Sequence, residues 1–128
     1  MTTIVVTAAV IERDDRILVT RRLEGTHLEG YWEFPGGKCE SGESLEACLR
    51  RELREELAVE AIIGGELLST IHAYPARKVE LHFFSATIAG DPVAQIGQQM
   101  QWVRREDLAT LALPPADDEL VALLQQGR

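Results

Sequence analysis

Apolar residues along this chain fall into two spacings, and the change from one to the other lays out the elements. Residues 4–11 are apolar and rich in β-branched side chains, which predicts a buried strand. Asp14-Asp15 predicts a turn. Residues 17–20 resume the strand pattern, so a hairpin is expected. Residues 23–30 contain Gly25 and Gly30 and read as a loop. Trp32-Glu33-Phe34 is a short extended piece before Pro35-Gly36-Gly37, a turn signal. From Ser44 the period becomes four: Leu45, Leu49, Leu53 and Leu57 recur with charges between them, predicting an amphipathic helix over residues 45–57. Ser44 or Glu43 is placed to cap it. Strands are expected over 61–71 and 79–88, joined by a loop containing Pro75. Gly90-Asp91-Pro92 ends the second of them. A short strand is expected over 101–103, and a helix over 117–125 with Leu120, Val121 and Leu124 facing inward. The order strands, helix, strands, helix predicts an α+β fold, a mixed sheet with helices packed against it.

Composition narrows the setting. A chain of 128 residues, 45% of them hydrophobic, fits one compact domain over 1–128 with a real core. The formal net charge of −8 argues against non-specific binding to a nucleic-acid polymer or an anionic membrane. An acidic protein that handles an anionic substrate needs a local cationic device, for which a metal ion is the obvious candidate. The two cysteines, Cys39 and Cys48, make no disulfide framework or zinc-ligand pattern and suit a reducing compartment. No apolar stretch is long enough to span a bilayer, and the first residues lack the features of a signal peptide. A soluble, cytoplasmic protein is expected.

The candidate chemistry lies on the first helix. Glu52, Glu55 and Glu56 stand at i, i+3 and i+4, so they share one face, opposite the leucines that anchor the helix. Like charges at those spacings disfavour the helix by a few tenths of a kcal/mol per pair unless something offsets them. A hard divalent cation does so with carboxylate ligands. The plainer reading is a solvated acidic face with Glu–Arg pairs. Two neighbours favour the metal: the glycine turn directly before the helix, where backbone can approach closely, and Glu43, eight residues before Arg51, where an ion pair would brace the turn.

Residues 37–59, GKCESGESLEACLRRELREELAV, resemble the signature box of the Nudix hydrolase family. Gly37, Glu43, Arg51, Glu52, Glu55 and Glu56 occupy its fixed positions, with Leu53 and Val59 at aliphatic ones. Ala58 departs from it, standing where a glycine usually serves a left-handed helix end. The resemblance implies an α/β/α sandwich around a mixed sheet and magnesium- or manganese-dependent hydrolysis of a nucleoside diphosphate linked to another group. It implies that Glu52, Glu55 and Glu56, with the Gly36 carbonyl, hold the metal, and that Glu43 and Arg51 are structural braces.

Further segments resemble the MutT-like branch, which sanitises oxidised nucleotides, and relatives that hydrolyse pyrimidine triphosphates. They are Val19-Thr20-Arg21-Arg22, Trp32 to Lys38, Leu81-His82-Phe83-Phe84 and Leu113-Pro114-Pro115-Ala116-Asp117. That likeness implies a nucleoside triphosphate substrate, with Arg22 on phosphate or sugar, His27 and Phe34 lining the pocket, Arg77 reaching the nucleotide and Asp117 reading the base edge. Each also has a plainer reading: a surface arginine, a loop histidine, a core phenylalanine, a solvated loop arginine and a helix N-cap. The implied reaction takes 8-oxo-dGTP to 8-oxo-dGMP and pyrophosphate. CTP or a modified pyrimidine triphosphate is the alternative, because an ionised aspartate only accepts hydrogen bonds and so suits the cytosine amine. A low-turnover nucleotide-binding module is a third reading. Relatives often carry a glutamate, as an extra metal ligand or base, where this chain has Ile96.

Overall fold

A computed structural model describes residues 2–126; Met1, Gly127 and Arg128 lie outside the described residues. Seven strands and two helices follow one another as β1 (Thr2–Arg13), β2 (Arg16–Arg21), β3 (Trp32–Glu33), β4 (Gly36–Lys38), α1 (Leu45–Leu57), β5 (Glu60–Tyr74), β6 (Arg77–Ala89), β7 (Met100–Arg104) and α2 (Asp118–Gln126). The order across the sheet is β3-β2-β1-β6-β5, with β4 also on β1 and β7 also on β2. β1 runs parallel to β6 from Thr2↔Arg77 to Ile11↔Ala86, while β5 and β6 are antiparallel. The sheet is mixed, as the sequence predicts.

β1 explains how the layers close. Successive side chains of a strand point to opposite faces. Ala8 and Val10 join one core with Ile17, Val19, Phe83, Leu120 and Leu124. Ala9 and Ile11 join another with Leu18, Leu49, Leu53, Leu57 and Phe84. α1 therefore covers one face and α2 the other, an α/β/α sandwich with β1 buried on both sides.

The β1–β2 hairpin forms with Glu12↔Ile17 and Arg13↔Arg16 paired. Asp14 and Asp15 both have positive φ, 53° and 64°, the pattern of a type I′ turn that matches strand twist. Ser44, not Glu43, caps α1, its hydroxyl accepting from the Ala47 N–H at 3.1 Å. The loop expected around Pro75 shrinks to a tight connection between two long strands. A 3₁₀ turn, Pro115–Asp117, precedes α2, so Asp117 lies just before the helix. Another 3₁₀ segment, Arg105–Thr110, buries Leu108 in the α2-side core where sequence periodicity predicts no element.

One expectation is corrected here. Gly36-Gly37 is not a free turn but part of β4, antiparallel to β1 with Thr7↔Gly37 and Ala8↔Gly36 paired. A Cβ on Gly36 would overlap the Thr7 carbonyl and the Ala8 backbone, so only glycine lets these strands approach this closely.

Candidate active site

α1 presents Glu52, Glu55 and Glu56 beside β4, and the fit is tight. A Cβ on Gly37 would meet the Glu52 carboxylate, so that glycine makes room for this side chain. Arg51 ties the surroundings together. Its guanidinium donates to both oxygens of Glu43 at 2.7 and 3.0 Å and to the Lys38 carbonyl at 3.1 Å. It donates also to Glu52 at 3.0 Å and Glu55 at 3.1 Å. Bidentate arginine–carboxylate pairing fixes orientation as well as charge. The Arg51 hydrogen bonds, with the Glu40 amide, hold the Glu43 carboxyl down at about 2.

Glu52 and Glu56 lean the opposite way. Burial, with Glu52, Glu33 and Glu55 nearby, pushes Glu56 up to about 8. Burial also raises Glu52, against the pull of Arg51. Two carboxyls that resist ionising, on a rigid helix that also carries Glu55, are oxygen donors that suit a hard cation.

One cavity of about 450 Å³ is lined by Glu52, Glu56 and Gly36 and also by Arg22, His27, Phe34, Arg77 and Asp117. The structure thus brings most of the candidate residues to a single space. Glu43, Arg51 and Glu55 lie outside that lining; Glu55 is on the same helix face as Glu52 and Glu56, half exposed. Arg22 donates to Glu33 at 3.0 Å and to the His27 carbonyl, which closes the loop between them. The His27 ring meets Tyr74 edge-on at 6.0 Å, and Arg77 lies over the same tyrosine at 6.0 Å. Phe34 is buried and packs edge-on against Phe83 at 6.0 Å, so it serves the core while it lines the cavity. Asp117 is 5% exposed, and burial with Glu33 and Asp118 nearby raises it to about 7.

A profile of the NUDIX domain matches residues 6–123. The chain belongs to the Nudix family. It is 38% identical over 122 residues to the CTP pyrophosphohydrolase of Escherichia coli K12, covering 94% of this chain and 90% of that protein. It is 35% identical over 122 residues to the 8-oxo-dGTP diphosphatase of Haemophilus influenzae, covering 92% and 89%. The solution structure of the E. coli ORF135 protein superposes with a TM-score of 0.88 at 37% identity, over 100% of this chain and 94% of that one. Nudix hydrolases as a family depend on divalent metal ions.

Within this Nudix chain, three features escape sequence reasoning. Glu33 lines the cavity between Arg22 and the box, and burial raises its carboxyl against the pull of Arg22. Its signal was thin: one acidic residue between two aromatics, on a strand of two residues. Tyr74 lines the cavity from the end of β5, where no periodicity points inward. The third is a correction: Cys39 and Cys48, expected to be unpaired, are joined as a disulfide with Cα atoms 5.3 Å apart. β4 holds one against the helix carrying the other.

The two departures from the Nudix pattern have clear places. Ala58 adopts the left-handed conformation itself, φ 55° and ψ 39°, and its N–H donates to the Arg54 carbonyl at 3.0 Å. Ile96 is 54% exposed and lines a smaller cleft together with Glu56, Glu33 and Arg22. An apolar side chain therefore shares this cleft with Glu56. Gln98 is buried next to it, its side-chain amide donating to the Glu56 carbonyl at 3.0 Å.

Proposed function

We propose that this chain is a cytoplasmic nucleoside triphosphate pyrophosphohydrolase that converts 8-oxo-dGTP to 8-oxo-dGMP and pyrophosphate. The observation that carries the reading is the shared cavity, lined by two box glutamates and by a buried aspartate poised near neutrality. Glu52, Glu55 and Glu56, with the Gly36 carbonyl, would hold Mg2+ or Mn2+. When bound, such ions neutralise polyphosphate charge and activate a water for attack on phosphorus. Arg22 and Arg77 supply fixed positive charge for the phosphates or sugar. His27 and Phe34 wall the pocket. Glu43 and Arg51 keep the box in register from outside the reaction.

Asp117 reads the base. In its neutral form the hydroxyl donates to O6 of oxidised guanine, and the carbonyl accepts from N7–H. Both edge groups are then satisfied. Ionised, Asp117 only accepts, which leaves O6 facing a carboxylate but suits the exocyclic amine of cytosine. The second reading, a CTP or modified-cytosine pyrophosphohydrolase, is favoured by that ionised form and by the likeness to the E. coli CTP pyrophosphohydrolase.

The test is pyrophosphate release with magnesium from 8-oxo-dGTP, dGTP, CTP and methylated dCTP, across about pH 6 to 8.5, the span over which Asp117 titrates. The expected result is 8-oxo-dGTP ahead at the acid end, with CTP gaining as Asp117 ionises. CTP ahead at every pH would favour the second reading. Nucleotide binding without release from any triphosphate would defeat the enzyme reading and leave a nucleotide-binding module.

A further inference from the structure

The Cys39–Cys48 disulfide lies inside the Nudix box and joins its two halves. Cys39 follows β4 and remains on the sheet, its N–H donating to the Val5 carbonyl at 2.9 Å. Cys48 is on α1, one turn before Glu52, and its N–H donates to the Ser44 carbonyl at 2.9 Å. The bond thus links the strand that carries Gly36 and Gly37 to the helix that carries Glu52, Glu55 and Glu56. The segment it closes includes Glu43, the bidentate partner of Arg51.

Exposure of the two sulfurs differs. Cys48 has no exposed surface, and its sulfur lies 3.2 Å from the Thr7 hydroxyl and 3.8 Å from the Gly37 carbonyl. Cys39 is only half-buried. A reagent in solution therefore meets Cys39 first, and Cys48 is placed as the resolving cysteine.

We propose that Cys39 and Cys48 form a reversible dithiol–disulfide site that clamps β4 to α1 when closed and loosens the metal-binding carboxylates when open. Closure needs an oxidant of the disulfide class, RSSR. The Cys39 thiolate attacks it, forming Cys39–S–SR and releasing one RS−. The Cys48 thiolate then attacks the Cys39 sulfur, forming the internal bond and expelling a second RS−. The protein loses two electrons and RSSR gains them, while the two thiol protons end on the two RSH. Opening reverses these steps, with a thiolate attacking Cys39 and Cys48 leaving.

The consequence follows from packing. Freed sulfurs must retreat to van der Waals separation. Cys48 is held against Thr7 and Gly37, so the segment 39–44 is the part that gives. That movement disturbs the Glu43–Arg51 pairing and, through Arg51, Glu52 and Glu55. Disulfides in reducing compartments are generally transient and redox-sensing rather than permanent. Only this compartmental point rests on the function proposed above; the thiol chemistry is independent of the substrate.

The experiment equilibrates native protein with oxidised glutathione or with dithiothreitol, then unfolds it and counts thiols by alkylation and intact mass. Oxidised glutathione should leave none of the two cysteines alkylatable and no bound glutathione; dithiothreitol should free both. Without metal, the reduced form should melt roughly 5 °C lower, since closing even a short loop stabilises a small domain. Its half-saturating magnesium concentration should be severalfold higher, and Cys39→Ser should respond to neither reagent. Two free thiols after oxidised glutathione, a persistent glutathione adduct at Cys39, or equal melting and magnesium dependence in both states would overturn the proposal. Thiol count and melting need no turnover, so they decide this point even if no triphosphate is hydrolysed.

Discussion

The carboxylate helix and the residues proposed to read the base line one cavity, yet they are built in opposite ways. The first is contiguous: β4, the capping segment and α1 come from one stretch of chain, and Arg51 alone contacts Lys38, Glu43, Glu52 and Glu55. The second is gathered from the end of β2, from β3, from the paired ends of β5 and β6 and from the 3₁₀ turn before α2. On the function proposed above, reaction class would reside in the local unit, where helix geometry fixes the spacing of the carboxylates. Base choice would reside in the assembled unit, where one buried group, Asp117, can change hydrogen-bonding character without any change of fold.

The sharpest way to break that division is to remove one ligand from the contiguous unit. Glu55→Gln and Glu56→Gln keep shape and remove charge. Metal-assisted stabilisation of a phosphoryl transition state is worth several kcal/mol, so each variant should lose about 100-fold or more in turnover. The circular dichroism spectrum should be unchanged, and Glu56→Gln should melt no lower than the metal-free parent, because a carboxyl raised to about 8 is costly to ionise there. Near-normal turnover in both variants would end the metal assignment.

The assembled unit should respond in selectivity instead. Asn at 117 always offers one donor and one acceptor. Asp117→Asn should therefore hold the preference for 8-oxo-dGTP over CTP constant with pH, where the parent's preference declines above about 7. A base-edge contact is worth about 1–3 kcal/mol, so the kcat/KM ratio at the alkaline end should differ between the two proteins by about 10-fold or more. Equal pH profiles for both would detach Asp117 from base reading.

The same residue gives a stability readout free of substrate. Asp117 is raised from 3.8 to about 7, so the folded state holds a proton that the unfolded chain has already released. Its contribution is fully present below 3.8 and is lost as pH rises towards 7. Glu56, raised to about 8, slopes the same way. So does His82: burial alone would lower it, but Glu66 and Glu80 raise it, and its stabilisation fades with rising pH. Glu43, lowered to about 2, acts only in acid, as pH falls below 4.5. Metal-free protein should therefore lose stability between about pH 5 and pH 8, with Asp117 contributing on the order of 2 kcal/mol. Urea titrations at the two pH values should show a shallower decline in Asp117→Asn. An unchanged decline would mean that Asp117 is not protonated in the fold.

This contrast also explains what the sequence could and could not reveal. Glu52, Glu55 and Glu56 were legible because helix spacing alone puts them on one face, and Leu49, Leu53 and Leu57 reveal which face is buried. Gly36-Gly37 carries the same letters whether it turns or pairs; β4 exists because β1 lies within reach, a fact about distant residues. Glu33 and Tyr74 point inward through the same long-range packing. The disulfide was illegible because nine residues of separation say nothing until β4 brings Cys39 onto α1. The sequence marks Ile96 only by contrast with the family pattern, because its place in the cleft with Glu56 depends on how the 93–98 loop caps the helix.

That capping sets the last and smallest test, at the boundary between the contiguous unit and the rest. α1 ends on Ala58 in the left-handed region, a conformation that costs an L-residue about 1–2 kcal/mol. The surroundings hold it there. The Val93 N–H donates to the Leu57 carbonyl at 2.9 Å, the Gln95 N–H to the Glu56 carbonyl at 3.0 Å, and the Gln98 side chain to that same carbonyl. The last turn is thus closed by the loop that carries Ile96, which fixes where Glu56 stands. Glycine removes the steric cost but gives the unfolded chain more freedom, which takes back about 0.4–1 kcal/mol. Ala58→Gly should therefore stabilise the protein by a net of about 0.5 kcal/mol, measured as a higher urea midpoint at unchanged slope, with kcat and KM as in the parent. A lower midpoint would show that the alanine methyl makes a contact worth more than the strain. A changed kcat at equal stability would show that the helix end, and not only its glutamates, sets the geometry at Glu56.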